Sequence, residues 1–268
     1  MSRSLSFHTL AEQCLFVAGT VGDKLALIDR LAEALAQDRL AWQQNHPVRP
    51  ARAVVLPAHP VLVEPRALPP RNFTTRAGLA AFFHALAHIE FTAILLALDM
   101  AYRFSGMPAA FYQDWLGVAL DETRHFRMLT DRLALLESTY GDLPAHRGLW
   151  TTAEETAHDL LARLALVPRC MEARGLDVSP GMILKLEQHG ARDDAALLNR
   201  IYQDEIAHVA LGSYWFGQVC TERGLEVEST YFGLLANHLH GELRGPFNLS
   251  ARRQAGFSEQ ELTRLAAC

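Results

Sequence analysis

Cysteine is scarce in this chain, and its spacing excludes several classes of protein. The 268 residues contain four cysteines, which lie far apart and form no Cys-x-x-Cys pair: Cys14, Cys170, Cys220 and Cys268. A disulfide framework or a zinc or rubredoxin-type knuckle needs closely paired cysteines, so neither is expected. Scattered single cysteines are typical of proteins in a reducing compartment, which predicts a cytoplasmic location.

Concentrated charge and long apolar runs are also lacking. The net charge is −5 with histidines neutral, and no cluster of Lys and Arg stands out, which disfavours a nucleic-acid partner because such partners usually need a basic surface. His8, Glu12 and Gln13 interrupt the N-terminal segment, so a signal peptide is not expected. No apolar run is long enough to predict a membrane span. No phosphate-binding Gly-rich loop or Gly-x-Ser-x-Gly motif occurs, which disfavours nucleotide-dependent and serine-hydrolase chemistry.

Helical periodicity is what the chain has in abundance, and it predicts an all-α fold. Two amphipathic helices are expected over about 6–18 and 22–44. Pro47 to Pro70 then holds seven of the twelve prolines, which predicts an extended arm because proline fixes φ and lacks the amide donor. The arm is expected to cover either the helices that follow or a neighbouring subunit.

Four long helices follow the arm. The first is predicted to begin after Thr74 or Thr75 and to reach about residue 104, and the second covers about 109–138. The third is expected to open at Thr151 or Thr152 with a capping box, and to break after Pro168 and again over 175–181. A short helix near 181–189 and the fourth long helix at about 193–223 complete the set. The expected divisions are 1–72, 73–225 and a partly helical tail over 226–268 that breaks at Gly245-Pro246, together forming one compact domain.

Two copies of one short motif, Glu-x-x-His, carry the chemistry. They lie at Glu122–His125 and Glu205–His208, and each follows another glutamate at nearly equal spacing: Glu90 is 32 residues before Glu122, and Glu172 is 33 before Glu205. Residues three apart share a helix face, so each motif offers a carboxylate and an imidazole to one point. Two such motifs plus a glutamate from each of two other helices is the ligand set of di-iron and di-manganese carboxylate bundles.

The helix faces around these ligands are apolar, which predicts burial. Leu86 and Ile94 share the face of Glu90, and Val118 and Leu129 share the face of Glu122. Buried carboxylates that converge would repel one another and lose hydration, and divalent cations remove that objection. Mixed oxygen and nitrogen donors suit two iron ions, with manganese or a mixed Mn/Fe pair as alternatives. The competing interpretation is a set of surface residues on ordinary helices.

Four neighbouring residues are candidates for supporting the ligands. Asp121 and Asp204 precede the two motif glutamates, and each is expected either to orient the histidine of the opposite helix or to be surface charge. Arg124 is expected to pair with one of these aspartates. Tyr202 shares the face of Glu205. The favoured interpretation is a packed core tyrosine, and the alternative is a redox-active or hydrogen-bonding phenol.

Three further residues are weighed against a metal role. His84 and His88 are four residues apart, but they point largely away from the face of Glu90, so a satisfied or solvent-facing pair is the favoured interpretation. Cys170 lies on a different face from Glu172 and is expected to be inert.

The phrases around these ligands resemble known families. Asp121-Glu122-Thr123-Arg124-His125 looks like the ligand motif of bacterial multicomponent di-iron monooxygenases, and the wider set is similar to ferritins, rubrerythrins and ribonucleotide reductase small subunits. The stretches 88–90, 121–125, 171–177 and 204–208 resemble, within about 75–220, a bacterial ferritin-like family of unknown function. The resemblance implies a ferritin-like four-helix bundle with a long crossover and two metal ions.

The resemblance also implies function classes. The first is a di-iron oxidoreductase that uses dioxygen or peroxide to oxidise a small organic substrate. With no Cys-x-x-Cys module in the chain, it would take electrons from an external donor, and it could act as a homodimer. The alternatives are a protein that stores or detoxifies metal or peroxide and, with less support because no basic surface is expected, a ferritin-like tRNA hydroxylase. The expected break over 172–180 is interpreted as a path for substrate or dioxygen, or as a simple loop.

Overall fold

The computed structural model describes residues 4–43, 45–239 and 243–267. Within these ranges the protein is mostly helical with almost no strand, which confirms the all-α prediction. The chain divides into two compact units, unit 1 over Met1–Trp150 and unit 2 over Thr151–Cys268. The predicted boundaries near residues 72 and 225 stay a prediction.

Unit 1 begins with two short helices that lie in sequence between two paired strands of two residues each. Helix α1 covers Phe7–Phe16 and helix α2 covers Val21–Ala36, and Thr20 and Asp23 form a capping box at the start of α2. Strand β1 (Leu5–Ser6) runs parallel to strand β2 (Leu40–Ala41). The prediction that the second helix reaches residue 44 is wrong, because Asp38 adopts a φ of 50° after the last turn and the chain then joins β1.

Helices α3 (Arg76–Arg103) and α4 (Ala109–Leu135) form the main body of unit 1. The Thr75 side chain accepts a hydrogen bond from the Gly78 amide, as predicted for this N-cap. A turn over 104–108 reverses the chain, so the two helices pack antiparallel along their lengths. Helix α3 has an 18-residue window with mean hydropathy 1.7, so the statement that no apolar run approaches a membrane span is wrong. Since 78% of that window is buried inside the protein, the helix is only weak evidence for a membrane span.

The proline-rich arm packs on unit 1 itself. Apart from two short 3₁₀ turns, Ala51–Ala53 and Pro65–Ala67, it is irregular, as predicted. The Arg49 amide donates to the Tyr102 hydroxyl at 3.0 Å, and the Arg103 guanidinium donates to the Arg49 carbonyl at 3.0 Å. Further along, the Val55 amide donates to the Leu15 carbonyl at 2.9 Å. These bonds tie the arm to the end of α3 and to α1.

The boundary between the units falls within helix α5 (Gly148–Glu155), and unit 2 continues through seven further helical segments. They are α6 (Leu160–Leu166), a π-helical turn (Val167–Glu172), α7 (Ala173–Gln188), α8 (Arg192–Glu222), α9 (Val227–His238), α10 (Leu249–Gln254) and α11 (Glu259–Ala266). The segment from α6 to α7 packs along α8, and α9 and α10 pack on it as well. The predicted break at Gly245-Pro246 separates α9 from α10, while residues 240–242 and 268 of the predicted tail lie outside the described residues.

Two predictions about the third long helix are wrong. Its start is not at Thr151 or Thr152, since α5 already begins at Gly148 and a new helix, α6, is capped by the Asp159 side chain. After Glu172 there is no break: α7 is continuous from Ala173 to Gln188 with Pro180 inside it. Leu176 and Leu186 are fully buried on one face of α7, so tertiary packing outweighs the local preference of glycine and proline to end the helix.

The irregularity that Pro168 introduces is absorbed as a π-helical turn. Pro168 lies second in Val167–Glu172, and Glu172 is its last residue. Proline removes the amide donor that an α-helix would use there, and a π-turn changes the hydrogen-bond register at such a point. The turn lies directly against Gly212 of α8: a Cβ on Gly212 would come within 2.5 Å of Pro168 Cβ. Only glycine permits this approach of the two helices.

Candidate metal site

Three of the predicted ligands come together inside unit 1. Glu90 on α3 and Glu122 and His125 on α4 each offer a ligand atom, and these atoms lie within 4.8 Å of one another. His125 Nδ1 is 3.4 Å from Glu90 Oε2 and 3.3 Å from Glu122 Oε2. The exposed fractions of Glu90, Glu122 and His125 are 6%, 1% and 0%. The predicted surface-residue alternative is therefore wrong for this group.

The antiparallel packing of α3 and α4 produces this arrangement. Glu90 is 15 residues before the turn at 105, and Glu122 is 14 residues after Pro108. At about 1.5 Å per residue the two arms nearly match in length, so both glutamates return to one level of the pair. Apolar residues such as Ile94 and Leu129, which are 1% and 0% exposed, close the surroundings of the group.

Hydrogen bonding inside the group does not account fully for its arrangement. One imidazole Nδ1 faces two carboxylates at nearly the same distance, but a neutral ring can donate only one proton from that atom. Two carboxylates beside one imidazole also make the group rich in oxygen donors, which divalent cations favour. A cation can accept lone pairs from all three groups at once. The donor set therefore fits a divalent metal ion.

The second motif repeats this local geometry in unit 2. Glu205 and His208 lie on α8, and His208 Nδ1 is 3.5 Å from Glu205 Oε1. The His208 side chain is 4% exposed and that of Glu205 is 15% exposed. Glu172 ends the π-helical turn and is half-buried. Both Glu-x-x-His motifs thus direct Nδ1 toward their own glutamate, as two residues on one helix face should.

The predicted supporting residues have different outcomes. Arg124 donates to Asp121 at 2.9 Å, which confirms that Arg124 pairs with one of the aspartates, and both side chains are more than a third exposed. Asp204 is half-buried on α8, and its predicted contact with a histidine stays a prediction, as does that of Asp121. Tyr202 is half-buried and its hydroxyl accepts a hydrogen bond from Asn248 Nδ2 at 3.1 Å.

His84 and His88 are satisfied core residues, as the favoured interpretation had them. The Gly141 amide donates to His84 Nε2 at 2.9 Å, so this ring is a neutral acceptor there. His88 Nε2 lies 3.0 Å from the His146 carbonyl and its Nδ1 lies 2.9 Å from the Tyr140 hydroxyl. Since a carbonyl only accepts, Nε2 carries the proton and Tyr140 donates to Nδ1. Burial lowers the pKa of His88 to about 4.

Cys170, expected to be inert, is a half-buried free thiol. Burial raises its pKa to about 11, so the reactive thiolate is a minor species at neutral pH.

Two features near Glu172 were missed by sequence reasoning. One is the contact of Pro168 with Gly212, and the other is a buried ion pair between Arg169 of the π-helical turn and Glu261 of α11, at 2.7 Å. Gly212 lies four residues after His208, so a glycine on the ligand face of a helix was a signal for close helix approach. No local signal connects Arg169 to a residue 92 positions away.

Comparison with known proteins identifies relatives without an assigned role. The sequence model of a family described as "Protein of unknown function (DUF455)" matches residues 18–263. The chain is 44% identical over 215 residues to an uncharacterized protein of Haemophilus influenzae, an alignment that covers 77% of this chain and 74% of that protein. No solved structure matches. Residues 18–263, the region that the family model matches, include all six predicted ligands.

Proposed function

The chain belongs to the DUF455 family, and we propose that it is a di-metal carboxylate protein with a ferritin-like four-helix bundle. The four helices of the proposed bundle are α3, α4, the segment from α6 to α7, and α8. Glu90, Glu122 and His125 supply the ligands of unit 1, and Glu172, Glu205 and His208 supply those of unit 2.

The observation that carries the proposal is the buried group in unit 1. Three ligand atoms within 4.8 Å, on residues that are at most 6% exposed, form a compact donor set of oxygen and nitrogen. The repeated geometry at Glu205 and His208 supports a second, equivalent half. Four carboxylates carry a charge of about −4, which two divalent cations would neutralise. Oxygen-rich donor sets with single imidazoles favour iron or manganese.

The reaction we propose is oxidation of a small organic substrate with dioxygen or peroxide. A pair of redox-active metal ions would supply the electrons for activating the oxidant, and an external donor would return them. The residues of this chain would hold the ions, and the apolar helix faces around Glu90 and Glu122 would exclude water. The candidate alternative is storage or detoxification of metal or peroxide, which the same ligands would also support.

Metal content together with stability tests the site. The protein is expressed with supplementation by Fe or Mn, and metal per chain is measured in wild type, in Glu122→Gln, and in the control Asp131→Asn, an exposed carboxylate on the same helix. Wild type and Asp131→Asn should hold about two ions per chain, and Glu122→Gln should lose at least one. A wild-type protein with fewer than about one metal per chain, even after anaerobic reconstitution, contradicts the proposal.

The stability of the metal-free forms separates a metal site from a structural ion pair. If Glu122 is a metal ligand, the metal-free Glu122→Gln protein should be at least as stable as metal-free wild type, because a buried charge is removed. If Glu122 and His125 form a structural ion pair instead, the substitution should cost about 3–5 kcal/mol, as for other broken buried pairs. Urea unfolding of both chelated proteins distinguishes the two.

Reaction with dioxygen tests the enzyme assignment. The anaerobic ferrous protein is mixed with dioxygen, and oxygen uptake and the visible absorption are followed. Uptake of a fixed amount of dioxygen per chain, repeated only when an external reductant is added, is expected for an oxidoreductase. Assembly into a hollow 24-subunit particle that mineralises iron would favour storage. No uptake by a fully loaded protein would exclude dioxygen as the oxidant, and the same experiment with hydrogen peroxide would then test the other proposed oxidant.

A further inference from the structure

The segment that carries Glu172 is held from both sides by the C-terminal helices of unit 2. Arg169, three residues before Glu172, donates to Glu261 Oε1 of α11 at 2.7 Å, and both side chains are 1% exposed. Asp177, five residues after Glu172, accepts from Arg252 of α10 at 2.8 Å and 2.9 Å, with side chains 0% and 2% exposed. Two buried ion pairs therefore bracket one predicted ligand.

Arg169 is enclosed to an unusual degree for a charged residue. Its guanidinium carbon is 4.3 Å from the ring centre of Tyr231, 4.6 Å from that of Phe257 and 4.7 Å from that of Phe216. The Tyr231 hydroxyl also donates to the Arg169 carbonyl at 2.8 Å, which satisfies an acceptor of the π-helical turn. Aromatic faces stabilise a desolvated guanidinium, and they leave its ion-pairing edge directed at Glu261.

The outer pair is completed by the loop before α10. The Asn248 amide donates to Asp177 Oδ1 at 2.9 Å, and Asn248 Nδ2 donates to the Leu176 carbonyl at 3.2 Å and to the Tyr202 hydroxyl at 3.1 Å. Tyr202 is three residues before Glu205, so this loop connects the segment of Glu172 with the helix of Glu205. The stretch 172–180, interpreted from sequence as a path for substrate or dioxygen or as a simple loop, is helical and is held by α10 and the loop before it.

Buried ion pairs are a poor way to gain stability, since well-packed apolar residues of similar size often do as well or better. What such pairs can supply is a fixed geometry, because a charge can be satisfied only in one arrangement. We infer that Arg169, Glu261, Arg252 and Asp177 are positioning residues, through which α10 and α11 fix the π-helical turn so that the Glu172 carboxylate is placed for a metal ion. The inference rests on the proposed function.

The test compares Glu261→Gln with Ser258→Ala. Glu261 Oε1 accepts from Arg169, whereas Glu261 Oε2 accepts from the Ser258 amide at 2.8 Å, in the capping box of α11. Ser258→Ala weakens the same cap without touching Arg169 and is therefore the matched control. Affinities for the first and second Mn²⁺ ion are measured by titration calorimetry on the full chain, and stability by urea unfolding of the chelated protein.

The positioning role predicts that Glu261→Gln weakens binding of one of the two ions about 10–100-fold, the usual effect of losing a residue that orients a ligand. Ser258→Ala should leave both affinities unchanged even if it lowers stability. Glu172→Gln should weaken the same ion, and the double variant should show little further loss because both changes act through one carboxylate. If Glu261→Gln does not fold, Asp177→Asn at the other ion pair gives the same comparison.

Two results would overturn the inference while leaving the proposed function intact. One is wild-type affinity for both ions in Glu261→Gln or Asp177→Asn. The other is a full, additive loss in the double variant, which would show that Glu261 acts independently of Glu172. If wild type itself binds no metal ion, the proposed function fails and this inference fails with it.

Discussion

Replacing Gly212 by alanine should destabilise the protein although alanine is the better helix former. Gly212 is buried on α8, and an added Cβ would lie 2.5 Å from Pro168 Cβ and 2.7 Å from Pro168 Cγ. Both atoms belong to a rigid ring whose position is fixed by the backbone of the π-helical turn. The turn must therefore move away from α8, because no side-chain rotation can relieve the overlap.

The expected size follows from two opposing effects. Overpacking of a buried site costs about 1–3 kcal/mol, while the change from glycine to alanine inside a helix contributes about 0.5–1 kcal/mol in favour of the variant. The net expectation is a loss of about 1–2 kcal/mol in the free energy of unfolding. The same displacement would move Glu172 relative to Glu205 and His208, so the proposed second metal ion should also bind more weakly.

Gly217 on the same helix is the matched control. A Cβ at Gly217 would meet nothing within 4 Å, so Gly217→Ala should stabilise the protein by about 0.5–1 kcal/mol through helix preference alone. Urea unfolding of the chelated proteins, monitored by circular dichroism, gives both values from the transition midpoint and slope. If Gly212→Ala is as stable as Gly217→Ala, the close approach of Pro168 to α8 is refuted.

Two further predictions concern titrating groups. Burial lowers the pKa of His88 to about 4 from 6.5, so the unfolded chain takes up the proton first as pH falls. The free energy of unfolding should therefore drop between about pH 6.5 and pH 4, by up to roughly 3 kcal/mol from this residue. The chelated His88→Gln protein should lose less over that range, and an equal loss would contradict the lowered pKa. Burial raises the pKa of Cys14 to about 12 and that of Cys170 to about 11, and it also raises the pKa of Cys220. In a Cys268→Ser protein, an aromatic disulfide reagent at pH 8 should therefore react slowly with these three thiols until the chain is unfolded. Rapid reaction of the native protein would show that at least one of the three is accessible.

Regular helices with strong local signals were predictable from the sequence. The start of α3 after Thr75 and its end near residue 104 follow from a capping threonine, a long apolar pattern and the Gly106-Met107-Pro108 turn. The extent of α8 was equally clear from its periodicity and from the glycine that follows it. Such elements are specified by interactions within a few residues, which a single sequence displays.

The elements that were mispredicted depend on contacts distant in sequence. The proline and glycine residues after Glu172 favour a break locally, yet α7 continues because Leu176 and Leu186 are buried in unit 2. The start of the third helix was misplaced because threonine followed by glutamate resembles a capping box at many positions, and the cap that forms there is Asp159.

The candidate ligands belong to the predictable part, because helical geometry alone places residues three apart on one face. The two Glu-x-x-His motifs and their preceding glutamates fixed a chemical hypothesis before any tertiary contact was known. The sequence could not determine burial or distance: only the packing of α3 on α4 brings Glu90 within 3.4 Å of His125 Nδ1 and leaves both nearly inaccessible to solvent. The sequence also could not reveal the residues that position Glu172, because Arg169 and Glu261 are 92 positions apart and come together only in the folded chain. Local periodicity thus indicated which residues are candidate ligands, and long-range packing decided their environment, because burial and ion pairing arise only when distant segments meet.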